Sequence, residues 1–299
     1  AAQILKDEGI AHPILLGNKE EILKLMEEHR LDLGDCPIIY PREEKAQVEK
    51  YAEVLYKKRQ RKGLAFKDCL KLLQDRNYYA AMMVEHGDAD AMVSGLTKDY
   101  PKTILPALQI IGTAPGVNRV AGMYVIMNKK GNYFFADCTV NVEPDANDLV
   151  EIIGLTANGA RFFGIEPRVA VLSYSNFGSS KGEIPSKTRE AVRLAKAKFP
   201  GLVIDGDIQA NVALNTEIQQ ETYPFSALAQ TGANTLIFPN LAAGNIAYKL
   251  MLEIGGAENI GPILMGMNKP VHVLQLGSSI REIVNMAAIA VVDAQGREK

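Results

Sequence analysis

Val169-Ala170-Val171-Leu172-Ser173-Tyr174-Ser175-Asn176-Phe177-Gly178-Ser179-Ser180-Lys181 is an apolar run that breaks into hydroxyls, an amide, a glycine and a cation. The uninterrupted run from Val169 suits a strand buried on both faces, as in a parallel sheet covered by helices. The polar stretch suits the holding of phosphate oxygens by amides and short side chains beyond the strand's carboxyl end. It lacks the Walker spacing, and an ordinary strand-to-helix loop accounts for it equally well.

The same pattern recurs on either side. Further strands are expected at Ile14 to Leu16, Ile38 to Tyr40, Ala91 to Val93, Val120 to Met127, Tyr133 to Ala136, Thr235 to Phe238 and Val271 to Leu274. Asn128 to Asn132 is a polar, glycine-containing connection that predicts a hairpin, hence one antiparallel pair within an otherwise parallel pattern. Val48, Tyr51 and Leu55, and Leu149, Ile152, Ile153 and Ala157, recur at helical spacing as core stripes. The expected class is α/β, with two three-layer α/β/α domains. At 299 residues the chain suits about two domains. The helix from about Asp145 to Phe163 is long enough to bridge them, which predicts a discontinuous first domain of residues 1–155 with 269–299 and a second of residues 156–268.

Composition narrows the partners. A net charge of -2 without long basic runs gives no electrostatic reason for nucleic acid or an anionic membrane. The cluster Lys57 to Lys62 is expected to end the helix that begins near Glu43, where cations complement the helix dipole. Cys36, Cys69 and Cys138 form no CxxC, and no apolar run approaches the ~20 residues of a membrane span. A reducing, cytoplasmic location is expected. Ala1 to Lys6 reads as the middle of an amphipathic helix, which predicts that something precedes it.

Few residues carry chemistry on their own. Asp88 and Asp90 precede a strand ending in Ser94-Gly95 and are expected to satisfy turn amides; His86 has no evident orienting acid. No metal-binding constellation is visible. Gly244-Asn245 opens a helix, with Asn245 either facing a ligand or capping. Ser279 and Glu282 have capping-box spacing before the apolar helix Ile283 to Val292.

Eight segments occur together and in order: GDADAMVSG from Gly87, TILPALQIIGTAPGV from Thr103, FFADCTVN from Phe134, VAVLSYSNFGSSKG from Val169, IDGDIQANVAL from Ile204, LIFPNLAAGNIAYKL from Leu236, GPILMGMNKPVHVL from Gly261, and QLGSSIREIV from Gln275. Together they resemble the phosphate acetyltransferase family over nearly the whole chain. SYSNFGS, GMNKPVHVLQ and SSIREIVNMAAIAVVDA resemble most the C-terminal domain of hybrid NADP-dependent malic enzymes. The resemblance implies a phosphotransacetylase or isocitrate-dehydrogenase-like fold, an acyl-CoA cleft between the domains, dimerisation or a higher homo-oligomer, and acetyl transfer between CoA and phosphate. It implies acetyl-CoA or phosphate contacts at Ser94, Ser173, Ser175, Asn176, Gly178, Ser179, Asn245, Lys269, Gln275 and Gly277. Ser278, Ser279 and Glu282 are the candidate catalytic residues. The family's Ser-Arg-Gly aligns with Gln275-Leu276-Gly277, its downstream aspartate with Glu282, and a further arginine with Leu105.

Leucine neither binds phosphate nor stabilises an oxyanion, and removing one oriented donor costs about 10²- to 10³-fold in rate. The resulting expectation is an acetyl-CoA-binding, oligomerising regulatory domain of an NADP-dependent malic enzyme, with NADP and a divalent metal in a domain upstream. Two alternatives stand beside it: an active phosphate acetyltransferase using Glu282 as base, and a structural dimerisation module without a ligand.

Overall fold

The computed structural model describes residues 1–297. The chain divides into two compact units, Ala1–Pro115 with Met267–Lys299, and Gly116–Gly266. In chain order the elements are α1 (Ala2–Asp7), β1 (Leu15–Leu16), α2 (Lys19–Glu28), β2 (Ile38–Ile39), α3 (Lys45–Arg59), α4 (Phe66–Leu72), α5 (Arg76–His86), β3 (Met92–Ser94), α6 (Tyr100–Ile110), β4 (Ala121–Asn128), β5 (Gly131–Ala136), α7 (Ala146–Phe162), β6 (Arg168–Leu172), α8 (Glu183–Lys198), β7 (Val203–Ile208), α9 (Ala210–Ala213), α10 (Thr216–Thr222), β8 (Thr235–Ile237), α11 (Leu241–Glu253), β9 (Glu258–Met265), β10 (Val271–Val273) and α12 (Ile280–Arg297).

The fold is α/β with mixed sheets. In the second unit a six-stranded sheet runs β7-β6-β8-β5-β4-β9. The strands β7, β6, β8 and β5 are parallel, whereas β4 is antiparallel to both neighbours. The expected hairpin joins β4 to β5, with Asn128 opposite Gly131 and the Lys130 amide donating to Asn128 Oδ1 at 2.7 Å. Because β4 and β5 pair within this sheet, residues 116–155 pack with the second unit, and the exchange of chain falls at Pro115/Gly116 instead of within α7. The α7 stripe lies in this unit's core, with Leu149, Ile152 and Ile153 fully buried. Each contributes about 1.5–3 kcal/mol by leaving water. Asp145 and Asp148 start the helix through reciprocal side-chain-to-amide bonds of 2.8 and 3.1 Å.

On the sheet's other side Tyr248 of α11 stacks on Tyr124 of β4, with ring centroids 4.1 Å apart. Gly244, one turn earlier, lets the helix approach the end of β5: a Cβ there would lie 2.4 Å from the Asp137 carbonyl oxygen. That contact involves backbone, which cannot swing aside.

The first unit contains two parallel pairs, β1 with β2 and β3 with β10. Tyr51, Leu55 and Met82, from α3 and α5, are fully buried. Lys57 to Lys62 ends α3 as expected, passing through a 3-10 turn to a left-handed Gly63. His272, at the centre of β10, is 2% exposed, and among the described residues neither ring nitrogen has a hydrogen-bond partner. Burial pushes its pKa down to about 4, with Arg297 helping and Asp293 opposing.

Two outcomes follow from this packing. Gly244→Ala should lower stability by about 1–3 kcal/mol, read as a fall in Tm, because the methyl overpacks against main chain. His272 is neutral in both states above pH 6.5, and below it the unfolded chain takes up the proton first. Stability should therefore fall by about 3 kcal/mol between pH 6.5 and 4, and denaturant titrations of His272→Val should lack that part of the slope.

Candidate functional site

In the first unit β3 and β10 leave their pair side by side, with Val273 opposite Ser94 and the Leu274 amide donating to the Ser94 carbonyl at 2.7 Å. Ser94-Gly95 and the loop from Gln275 thus emerge together beyond the strands' carboxyl ends, where α/β sheets bind ligands. Gly95 has φ +133°, and a Cβ on it would lie 2.2 Å from Leu274 O, so no side chain fits. The Ser94 hydroxyl donates to Asn77 Oδ1 at 2.7 Å, and the Asn77 amide donates to Asp75 Oδ1 at 2.9 Å. Lys98 pairs with the other Asp75 oxygen. Asp75, Asn77 and Lys98 are absent from the residues singled out in the sequence. Asp75 carries a helix-cap signature at the start of α5, but nothing in the spacing ties it to Ser94.

The loop after β10 closes on itself. The Ser278 amide donates to Gln275 O at 3.1 Å, and Ser278 Oγ accepts from the Gln275 amide at 3.3 Å, with Gly277 left-handed at φ +83° between them. Ser279 Oγ accepts from the Glu282 amide at 3.2 Å, while Glu282 Oε2 accepts from the Ser279 amide at 2.7 Å. The expected capping box is therefore formed, and α12 starts from it. Leu276 is 61% and Leu105 47% exposed, so both positions at which the resemblance implied arginine carry solvent-facing aliphatic groups. Lys269 donates to the carbonyls of Val84 and Glu85 at 2.8 and 3.0 Å, placing its charge at the negative end of α5.

His86 does have an orienting acid. Gly87, at φ +92°, turns the chain so that Asp88 Oδ2 comes within 3.3 Å of His86 Nδ1. The same oxygen accepts from the Tyr51 hydroxyl, whose pKa is raised by burial and then by that carboxylate. The group ties α3 to the turn after α5.

In the second unit Ser173 to Lys181 follows β6 at the carboxyl edge of the parallel strands. The amides from Ser175 to Ser180 are bonded within the chain. Those of Ser175 and Ser180 donate to Ser173 Oγ and Ser175 Oγ at 3.3 and 3.1 Å. Those of Asn176 and Ser179 bond Ser179 Oγ and Asn176 O at 2.9 and 3.0 Å. Phe177 and Gly178 donate to the main-chain and side-chain oxygens of Asp207 at 2.7 and 3.1 Å. The expectation of an amide cradle for phosphate is corrected accordingly: what this loop offers a ligand is hydroxyl groups and the exposed Lys181. Asp207 is fully buried and also meets Arg189 at 3.3 Å.

Asn240, not Asn245, caps α11, its Oδ1 accepting from the Ala243 amide at 3.0 Å. The Asn245 side chain donates to Cys138 O at 3.2 Å, which ties α11 to the turn after β5. Among the described residues no helix is long and apolar enough to cross a membrane, and no three His, Cys, Asp or Glu side chains gather as metal ligands do.

The family described as Phosphate acetyl/butaryl transferase matches residues 1–291. A phosphate acetyltransferase of Clostridium acetobutylicum is 39% identical over 302 residues, covering 99% of this chain and 90% of the relative. One from Bacillus subtilis is 38% identical over 295 residues, covering 98% and 90%. Among solved structures, a phosphotransacetylase from Streptococcus pyogenes is similar with a TM-score of 0.92 at 40% identity, covering 99% of this chain and 90% of that one. The EutD phosphotransacetylase of Staphylococcus aureus gives 0.88 at 34%, covering 98% and 89%. These matches overturn the expectation of a malic enzyme regulatory domain, because proteins similar to the chain from end to end are phosphate acetyltransferases. The inferred NADP, divalent metal and malic enzyme partner fall with it. The chain belongs to the phosphate acetyl/butaryl transferase family.

Proposed function

We propose that this protein transfers an acetyl group between CoA and inorganic phosphate, with Glu282 as the proton acceptor. The observation that carries the reading is the loop from Gln275 to Glu282, which leaves β10 beside Ser94 in a chain similar throughout to phosphate acetyltransferases. In the forward reaction the CoA thiol gives its proton to Glu282. The thiolate attacks the acetyl carbon of acetyl phosphate, and the carbon–oxygen bond to phosphorus breaks, releasing phosphate. Capping occupies Glu282 Oε2, and among the described residues Oε1 has no hydrogen-bond partner, so one oxygen can hold the cap while the other takes the proton. Ser278 and Ser279 spend their oxygens as acceptors and keep hydroxyl protons for the reacting carbonyl or phosphate. Ser94, steadied by Asn77, offers its oxygen beside them. The hydroxyls of Ser173 and Ser179, with the side chains of Asn176 and Asn245, are the proposed CoA or phosphate contacts of the second unit; Ser175, fully buried, and Gly178, whose amide Asp207 holds, shape the loop. Lys269 is assigned a supporting role at the end of α5.

With leucine at 105 and 276, turnover should lie about 10²-fold or more below that of an arginine-bearing relative.

Two variants separate the carboxylate's roles. Glu282→Gln keeps a capping-box side chain and should leave stability within about 0.5 kcal/mol, while lowering CoA-dependent thioester formation from acetyl phosphate by about 10²-fold. Ser279→Ala should cost about 1 kcal/mol of stability through the lost cap. Equal activity in the Glu282→Gln and parent proteins would remove Glu282 from the chemistry. Leu276→Arg should raise the transfer rate by about tenfold or more at saturating CoA, because it restores a cation to the loop; an unchanged rate would show that the loop does not face the reacting phosphate.

A further inference from the structure

Acyl transfer brings an anionic phosphate to the turns beyond β3 and β10, where Ser94, Gln275, Leu276, Ser278 and Ser279 are neutral and Glu282 adds a negative charge. A carboxylate repels a phosphate beside it, so the site needs a cation close at hand. Lys269 does not fill that place: it precedes β10 and bonds the carbonyls that end α5, at the strands' amino ends. Lys102 is exposed and pairs with Asp99, three residues before it. Arg281 is exposed as well, and already engaged within the chain. Charges of that kind are largely screened by solvent.

Lys98 is placed differently. It stands three residues beyond Gly95, which packs on the main chain of Leu274 just where the loop from Gln275 begins. Its side chain is 34% exposed and is held by Asp75 Oδ2. Asp75 Oδ1 accepts from the Asn77 amide, and Asn77 Oδ1 accepts from the Ser94 hydroxyl, at 2.9 and 2.7 Å. The series Lys98, Asp75, Asn77, Ser94 thus ties the ammonium to the end of β3. It also divides the labour between them. The Ser94 proton is committed to Asn77, so Ser94 presents an acceptor and has nothing to donate to a phosphate oxygen. The Lys98 ammonium has three donors, of which Asp75 takes one. We propose that Lys98 binds the phosphate of acetyl phosphate, and the inorganic phosphate released from it, through the remaining donors, and so supplies the cation absent at Leu105 and Leu276. The inference takes its substrate from the acyl-transfer reading and rests on it to that extent. Asp75 is a positioning residue: it holds the long side chain in place before the anion arrives, so less side-chain freedom is lost on binding.

Three variants of the full chain test it, by two readouts: the apparent Kd for inorganic phosphate, taken from the rise of Tm with phosphate at constant ionic strength, and the KM values for acetyl phosphate and CoA in thioester formation. Lys98→Met should raise the phosphate Kd and the KM for acetyl phosphate by about tenfold or more, the worth of a charge-assisted bond, and leave the KM for CoA within about threefold. Asp75→Asn breaks the same ion pair but keeps a capping side chain and the ammonium, so both phosphate constants should stay within about threefold of the parent. Lys102→Met removes a neighbouring exposed charge and should change them by less than about twofold. Phosphate constants unmoved by Lys98→Met, or moved equally by Asp75→Asn or by Lys102→Met, would overturn the assignment, the first because no contact exists, the others because the ion pair or the general field explains it. The two readings fail separately. A parent without turnover whose phosphate-dependent Tm is lost in Lys98→Met keeps the site and overturns acyl transfer; turnover with a KM for acetyl phosphate indifferent to Lys98→Met does the reverse.

Discussion

Parallel strands that end at a common edge release their chains into turns, and every buried amide in those turns needs an acceptor. In the second unit two buried carboxylates supply much of that need. Asp137, just after β5, accepts from the amides of Gly122, Thr139 and Val140 through Oδ1 and from that of Asn141 through Oδ2, at 2.8–3.1 Å. Asp207, in β7, holds the loop after β6 through Gly178 and meets Arg189. The close approach of α11 at Gly244, the bond from Asn245 to Cys138 and the shape of the serine-rich loop all depend on turns these groups hold. Their cost is desolvation, offset by the donors that Asp137 gathers on both oxygens and by the Gly178 amide and Arg189 on Asp207.

The same accounting explains the first unit's loop. A short turn from Gln275 to Ser278 is followed by a helix start, and both must bond their own backbone before any substrate arrives. Ser278, Ser279 and Glu282 are used for that purpose, which makes capping and chemistry compatible instead of alternative readings. A carboxylate has two oxygens and a hydroxyl has both a proton and lone pairs, so each group retains something to give a ligand.

Much of the architecture was legible because periodicity follows from burial. The helical stripes of α3 and α7, the β4–β5 hairpin and the strands Val169 to Leu172 and Val271 to Val273 are visible in the order of apolar residues. Two strands escaped it. β7 alternates with Asp205 and Asp207, and those carboxylates are buried against Lys196 and Arg189 of the preceding helix, a pairing that the order of apolar residues does not display. β9 begins with glutamate and asparagine and contains Gly261-Pro262, and it lies at the sheet edge where such residues are tolerated. The domain boundary was misplaced for a related reason: the pairing of β4 and β5 with β8 and β9 is a long-range fact, whereas a long helix is a local one. For the site, the capping box was readable from spacing alone, but Asn77 beside Ser94 and the internal satisfaction of the loop amides arise only from tertiary contact. The inference from two leucines to a malic enzyme domain did not follow, since two positions weigh little against similarity along the whole chain.

Family membership and the geometry of the loop after β10 support the proposed acyl transfer, and the leucines predict that it is slow. Slow turnover is best detected at equilibrium, where no product need accumulate. The decisive measurement is incorporation of isotopically labelled inorganic phosphate into acetyl phosphate by the purified chain, with and without CoA. Exchange that requires both protein and CoA, and that saturates with CoA, is the predicted result. Label incorporation no faster than in buffer alone, at high protein concentration and with a phosphate acetyltransferase of the family exchanging normally alongside, would contradict the account.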